Sequence, residues 1–386
     1  MRENNSFLKK PAVQTLLASL LCIVLGVLIG FIALLIINSA GAWEALMEIL
    51  KNFWNYSKPA TQMKNLGNTL VKTAPLLMCG LSVLFAYKVG LFNIGAAGQY
   101  VAGAGACIYC AVGLGWGWFP CMLASIFAGA IVGSISGILK AYRNVNEVIS
   151  CIMLNWICLY LVNTLLSKIK NPTSPYTYAI NLKVVAGADG AATTAAHPQA
   201  LLPQLGINSL FNNNKYVGIA IPLAILLAVA SWVILSKTML GYELRATGLN
   251  KNAAKYAGMR DRGNIILTMA IAGGLAGIGA SMLYLTGFED WSVTQASVPA
   301  MGFNGIAAAF LGGLHPIGTI FSSYFIQHIT DGGAQLNKQV YPGEISNMIS
   351  SLIIYFCGFV FFFKTTMNKW LDSKAEKASK KGGEKQ

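Results

Sequence analysis

The sequence predicts an all-α polytopic membrane protein, and three observations carry that prediction. The 386-residue chain is 55% hydrophobic and only 11% charged, against roughly 25% charged residues in an ordinary soluble domain. Its apolar residues fall into about ten runs, most of them long enough to cross a bilayer as a helix. Its cations gather at the ends of those runs, more on one side of the implied membrane than on the other. A net charge of +14 also suits a nucleic-acid binder, but cations clustered at run ends fit membrane topology, so no nucleic-acid partner is expected. The 40 glycines fit helices that pack closely in lipid.

The runs lie at 12–37, 67–87, 95–114, 119–140, 147–166, 216–236, 263–286, 299–314, 316–330 and 344–364. The first follows Lys9 and Lys10. It exceeds the apolar core of about 7–15 residues in a signal peptide, so a retained span is expected. The eighth and ninth are interrupted by Gly312, Gly313, His315 and Pro316. Broken spans are tolerated only where other protein covers their backbone. With both termini inside, every Arg (Arg2, Arg143, Arg245, Arg260, Arg262) falls on the inner side, as the positive-inside rule requires.

The expected organisation is a cytoplasmic N-terminus at 1–11, a transmembrane domain at 12–370 and a disordered, Lys-rich cytoplasmic tail at 371–386. Three stretches within the domain do not span. Residues 42–56 put Trp43, Leu46, Met47, Leu50, Phe53 and Trp54 at helical spacing. This predicts an amphipathic helix, laid on the outer surface or packed on neighbouring spans. Residues 167–215 are polar and loop-like, with Pro172, Pro175, Pro198 and Pro203, and face outside. Residues 237–262 form a cytoplasmic loop.

The two halves echo one another. Phe92-Asn93-Ile94-Gly95-Ala96-Ala97 returns as Phe303-Asn304-Gly305-Ile306-Ala307-Ala308, Phe119-Pro120 as His315-Pro316, and Glu147-Val148-Ile149-Ser150 as Glu344-Ile345-Ser346. In each pair one copy starts inside and the other outside. Spans two to five then match spans seven to ten as an inverted repeat, an arrangement that builds transport routes at the repeat interface. Glu147 and Glu344 have a plainer reading, since an acid in the first helical turn complements the helix dipole.

Catalytic motifs are missing. The chain has no GxxxxGK[ST], HExxH or GxSxG pattern, and its three His residues are scattered. No enzyme activity and no cofactor or metal of its own is expected. Cys107 and Cys110 have redox or metal spacing but no His, Asp or Glu beside them, so they read as small apolar packing residues. The 14 acidic residues sit in loops, tails and span ends, which weakens an ion-coupled carrier, since such carriers hold acids within their spans.

The most informative segment runs from Leu240 to Met259 in the cytoplasmic loop: LGYELRATGLNKNAAKYAGM. Asn250 is placed to cap a short helix from Lys251 to Ala257, and Gly258 to end it. Ala253, Ala254 and Ala257 predict a smooth face. From the residues alone this is either a docking element that seats in a partner's groove or an ordinary connecting loop.

This loop resembles the coupling segment of ABC-importer permeases of the branched-chain amino-acid, simple-sugar and nucleoside group. Gly90-Leu91-Phe92-Asn93-Ile94-Gly95-Ala96-Ala97-Gly98-Gln99 is similar to that group's GLFNIGAEGQ segment, with Ala97 where an acid is common. Asn146–Asn155 (NEVISCIMLN) resembles NEVISTIMLN, and Gly302–Ala307 with His315-Pro316 resembles its GFDGIA…HP region, with Asn304 replacing Asp. The likeness runs from about residue 65 to 320. Within the group it is nearest to nucleoside permeases, with simple-sugar permeases as near relatives.

The resemblance implies a subunit of about ten spans with a cobalamin-importer-like fold in a bacterial plasma membrane. It implies an ATP-binding cassette subunit that uses the ATP, a second permease in a heterodimer, and an external substrate-binding lipoprotein. Its coupling residues would be Glu243, Arg245, Gly248, Asn250, Ala253, Ala254 and Gly258. Its route residues would be Asn93, Gln99, Asn155 and Asn304, with Phe303 stacking or gating. Neutral amides donate and accept hydrogen bonds, which suits a polar uncharged nucleoside or sugar; the same amides serve equally as interhelical bonds. The competing class is a secondary carrier or channel that works without ATP.

Overall fold

The computed structural model describes residues 11–186, 192–337, 339–341 and part of 348–373. Residues 1–10, most of the expected span 344–364 and nearly all of the tail 371–386 lie outside the described residues. The described chain is helical apart from one short ribbon, and it divides into two compact units.

The smaller unit holds the first two helices. Helix α1 (Pro11–Ile37) is apolar all round. Helix α2 (Ala42–Lys51) buries Ala42, Ala45, Leu46 and Ile49, an i, i+3, i+4, i+7 stripe, while Trp43 and Leu50 point outward. Asn52 ends α2 at φ 49°, and a 3-10 turn covers Asn52–Asn55. The expected amphipathic segment is therefore a ten-residue helix and a separate turn.

The larger unit opens with α3 (Pro59–Lys88), then α4 (Ala96–Ile108) with a π-helical turn at Tyr109–Gly113. Helices α5 (Trp118–Arg143) and α6 (Glu147–Leu166) follow. Their tight junction uses Asn144 at φ 51°, Asn146 as N-cap to the Val148 N–H at 2.9 Å, and a 2.8 Å Lys140–Glu147 ion pair. Strands β1 (Leu182–Ala186) and β2 (Ala192–Ala196) pair antiparallel within the segment read from sequence as an irregular loop; alternation over so few residues is too short to announce a strand. Helices α7 (Ala220–Lys237), α8 (Met239–Leu249), α9 (Lys251–Tyr256) and α10 (Asp261–Tyr284) complete the middle of the chain. Helices α11 (Ala300–Leu311) and α12 (Pro316–Gly333) follow, and α12 ends in the smaller unit.

Six helices among the described residues are long and apolar enough to cross a membrane: α1, α3, α5, α6, α7 and α10. Helices α3 and α10 are mostly buried, whereas α5, α6 and α7 turn large apolar residues outward, among them Phe127, Ile131, Met153, Leu161 and Leu226. Exposed apolar area on this scale needs lipid or protein to cover it.

Small residues let the buried helices meet. Ser125, Gly129 and Gly133 recur every fourth residue along α5 and face Gly277, Gly273 and Met269 of α10. Ser125 Oγ donates to Gly277 O at 2.5 Å. A Cβ at Gly129 or Gly133 would strike the α10 backbone, so the crossing depends on their missing side chains. On the other side, Gly80 of α3 faces Thr319 of α12 and Ala308 of α11. Helix α3 thus packs against α11 and α12, and α10 against α5.

Candidate functional site

The expected route residues Asn93, Gln99 and Asn155 come together. After α3 the chain turns at Gly90 (φ 77°), a conformation that favours glycine. It then runs without helix to Gly95, carrying Asn93 inward to full burial. Asn93 Nδ2 donates to Gln99 Oε1 at 2.8 Å and to Ser82 Oγ at 2.9 Å, and Gln99 Nε2 donates back to Asn93 Oδ1 at 3.0 Å. Asn155 Oδ1 accepts the Gly98 N–H at 2.7 Å, and its Nδ2 donates to Ile94 O at 3.2 Å. Both amide–amide bonds and both main-chain bonds lie inside the protein. In this state the three amides brace the start of α4 against α3 and α6 and present nothing to a ligand.

Phe303 and Asn304 behave differently. Gly302 rests on Ala97, which brings this part of α11 to the start of α4. Phe303 is exposed and Asn304 half-buried, its side chain without a hydrogen bond to any described residue.

The expected coupling residues form a separate surface. Thr238 caps α8 through the Gly241 N–H at 3.1 Å, and Asn250 caps α9 through the Ala253 N–H at 3.0 Å, the cap read from the sequence. Gly258 follows α9 at φ 81°. Lys251 pairs with Asp261 at 3.6 Å, and Asn264 Nδ2 donates to Thr247 Oγ1 at 2.9 Å, fastening α8 to α10. Glu243 O accepts from Thr247 Oγ1 at 2.8 Å, and Arg245 Nε donates to Gly241 O at 3.3 Å, both within α8.

One expectation is corrected: Ala253, Ala254 and Ala257 do not share an outer face. Ala254 is turned inward and buried, because a helix this short must bury one side to persist. The outer surface includes Leu249, Asn250, Ala253, Lys255, Tyr256, Ala257 and Gly258, with Leu249 at 89% and Tyr256 at 94% exposure. Gly248 lies directly against Val89 and Gly90. The surface pair α8–α9 therefore touches the turn that leads into the amide cluster.

Sequence reasoning missed Ser82, the fourth member of that cluster, and Asn163, which binds Trp291 Nε1 at 2.9 Å. Neither stands in a motif, and only chain folding joins residues so distant.

Residues 65–358 match the family described as the permease component of branched-chain amino acid transport systems. The chain belongs to this family. With its six membrane-length helices, this permease is a multi-pass membrane protein. It is 31% identical over 382 residues to the nucleoside ABC transporter permease protein NupB of Lactococcus lactis, covering 96% of this chain and 98% of that one. It is 30% identical over 362 residues to the guanosine ABC transporter permease protein NupP of Bacillus subtilis, covering 92% and 96%. It is also 30% identical over 309 residues to the glucose ABC transporter permease protein TsgB13 of Haloferax volcanii, covering 79% and 78%. No solved structure matches the chain.

Proposed function

We propose that this permease forms the translocation pathway of an ATP-driven importer for a purine or pyrimidine nucleoside. The observation that carries the reading is the near end-to-end match with two permeases named for nucleoside and guanosine transport. In this reading the substrate arrives on an external binding lipoprotein. ATP is used by a cassette subunit inside, and a second permease completes the pathway. The subunit has about ten spans in a cobalamin-importer-like, inverted-repeat fold, with both termini in the cytoplasm of a bacterial cell. The order long, short, long in α3–α5 and again in α10–α12 supports the repeat.

Hydrolysis acts on α8 and α9. Leu249, Lys255 and Tyr256 meet the ATPase, Asn250 holds the helix start, and the contact of Gly248 with Gly90 passes movement to the Asn93–Gln99–Asn155 cluster. Glu243 and Arg245 orient the loop by polar contacts, and Ala253 and Gly258 leave room for close approach. Ala254 seats α9 on its own chain. The amides loosen in the alternate state and line the route together with Asn304 and Phe303.

The test is uptake of labelled nucleosides into proteoliposomes holding both permeases and the ATPase, with binding protein added. Uptake should require ATP and the ATPase; accumulation by this chain alone would overturn the reading in favour of a secondary carrier. The glucose permease relative favours a simple-sugar importer as the second reading. Uptake of a hexose in place of any nucleoside would select it.

A further inference from the structure

The seam between α5 and α10 carries a cavity along one side. The helices meet through Ser125, Gly129 and Gly133 on one and Met269, Gly273 and Gly277 on the other. The ridge one residue further along each helix lies beside that seam: Ile126 and Ala130 on α5, and Ala270, Gly274 and Ile278 on α10. With Leu227 of α7 these residues line a cavity of about 370 Å³, apolar throughout. Most of its lining is half-exposed, so it opens at the surface of the bundle. Helix α7 leaves this gap because it packs chiefly on α3. Gly274 differs from its neighbours. A Cβ at Gly273 would strike Gly129 O and one at Gly277 would strike Ser125 O, whereas one at Gly274 meets nothing closer than Ile126 Cγ2 at 3.4 Å. The crossing does not need this glycine; its missing side chain keeps the cavity deep. Apolar space of this kind excludes water, and left unfilled it forfeits dispersion contacts.

The same two ridges end in charge. On α10 the ridge continues through Ile266 to Arg262, and on α5 through Ser134 and Ile138 to Tyr142. The Arg262 guanidinium lies 5.2 Å from the centre of the Tyr142 ring, and both side chains are exposed. The acids close by are taken: Glu147 pairs with Lys140 at 2.8 Å and Asp261 with Lys251 at 3.6 Å. Arg262 and Arg143 have no carboxylate partner among the described residues. Eight helical residues, about 12 Å, separate Arg262 from Ala270, less than the roughly 15 Å of hydrocarbon in one leaflet. We propose that this pair of ridges binds one anionic phospholipid, with its phosphate on Arg262 and one acyl chain running past Ile266 into the cavity between α5, α7 and α10. A guanidinium stacked on a ring still offers its edge to two phosphate oxygens, and a tyrosine hydroxyl suits headgroup depth. The surplus of positive charge at this edge selects an anionic headgroup over a zwitterionic one. A partner helix is about 10 Å across with its side chains, too wide for the space, whereas a chain of methylenes bends to fit it. The site requires that the protein lie in a membrane and is independent of what it carries.

The test places the full chain in vesicles of phosphatidylethanolamine that hold a small, equal fraction of either phosphatidylglycerol or phosphatidylcholine with a diazirine on the acyl chain. Photolysis should label peptides 126–130 and 270–278 about fivefold more with the anionic lipid, the effect of one basic side chain at the surface. Arg262→Gln should abolish that preference and Arg262→Lys should keep most of it, a split that a merely structural role would not produce. Gly274→Leu fills the cavity without striking the α5 backbone, so it should lower labelling of these peptides by either lipid to the level of the exposed α6 face. Equal labelling by the two lipids, or a preference that survives Arg262→Gln, would overturn the site. Label spread evenly over α5, α6 and α7 would overturn it as well. Disulfide cross-linking of two Leu227→Cys chains would give the cavity to a second permease chain and exclude the lipid.

Discussion

At the scale of single residues, Asn93 and Gln99 illustrate how a polar pair survives inside an apolar protein. Each amide is donor and acceptor at once, so two side chains satisfy most of each other's bonding capacity. Gln99→Ala leaves Asn93 Oδ1 without its amide donor and removes one acceptor from Nδ2. Stranding a buried polar atom costs about 1–3 kcal/mol. The variant should melt at a lower temperature in detergent, and transport per folded molecule should fall no more than expected from that loosening. Unchanged melting with lost transport would mean that Gln99 meets substrate directly. The motif made both residues candidates, yet their pairing was not legible: Asn93 precedes α4 and Gln99 lies within it, so helical spacing says nothing about their meeting.

At the scale of elements, legibility followed length. Helices α1, α3, α5, α6, α7 and α10 are long apolar runs, and composition alone announces them. Helices α4 and α11 are short, and what keeps them in register is contact with other helices through Gly98, Gly302 and Gly305. Helix α9 was legible through its caps, because Asn and Gly act on backbone groups a few residues away, whereas α8 and its Thr238 cap were not. The buried face of α9 was not legible either, since tertiary packing alone decides which alanine turns inward. That distinction yields a prediction. Tyr256 is 94% exposed, so Tyr256→Asp should leave folding intact while cutting ATP-driven uptake about tenfold or more, the size of a lost interface anchor. Ala254→Asp buries a charge and should reduce the amount of folded protein instead. Uptake by Tyr256→Asp equal to that of the unmodified protein would remove α9 from the interface with the ATPase.

At the scale of the whole molecule, charge and apolar surface together set orientation. The α7–α10 connection carries Lys237, Arg245, Lys251, Lys255, Arg260 and Arg262, whereas the long segment between α6 and α7 carries only lysines, spread thinly. Cations resist translocation, so the proposed orientation puts the first in the cytoplasm and the second outside. The described cysteines are all buried, which leaves a quiet background for introduced thiols. Lys215 and Lys255 are both exposed. An impermeant maleimide should therefore label Lys215→Cys in intact cells and Lys255→Cys only once the membrane is opened. The reverse pattern would invert the topology. The α8–α9 surface would then face away from any ATPase, and the amide cluster would have no mechanical link to ATP hydrolysis.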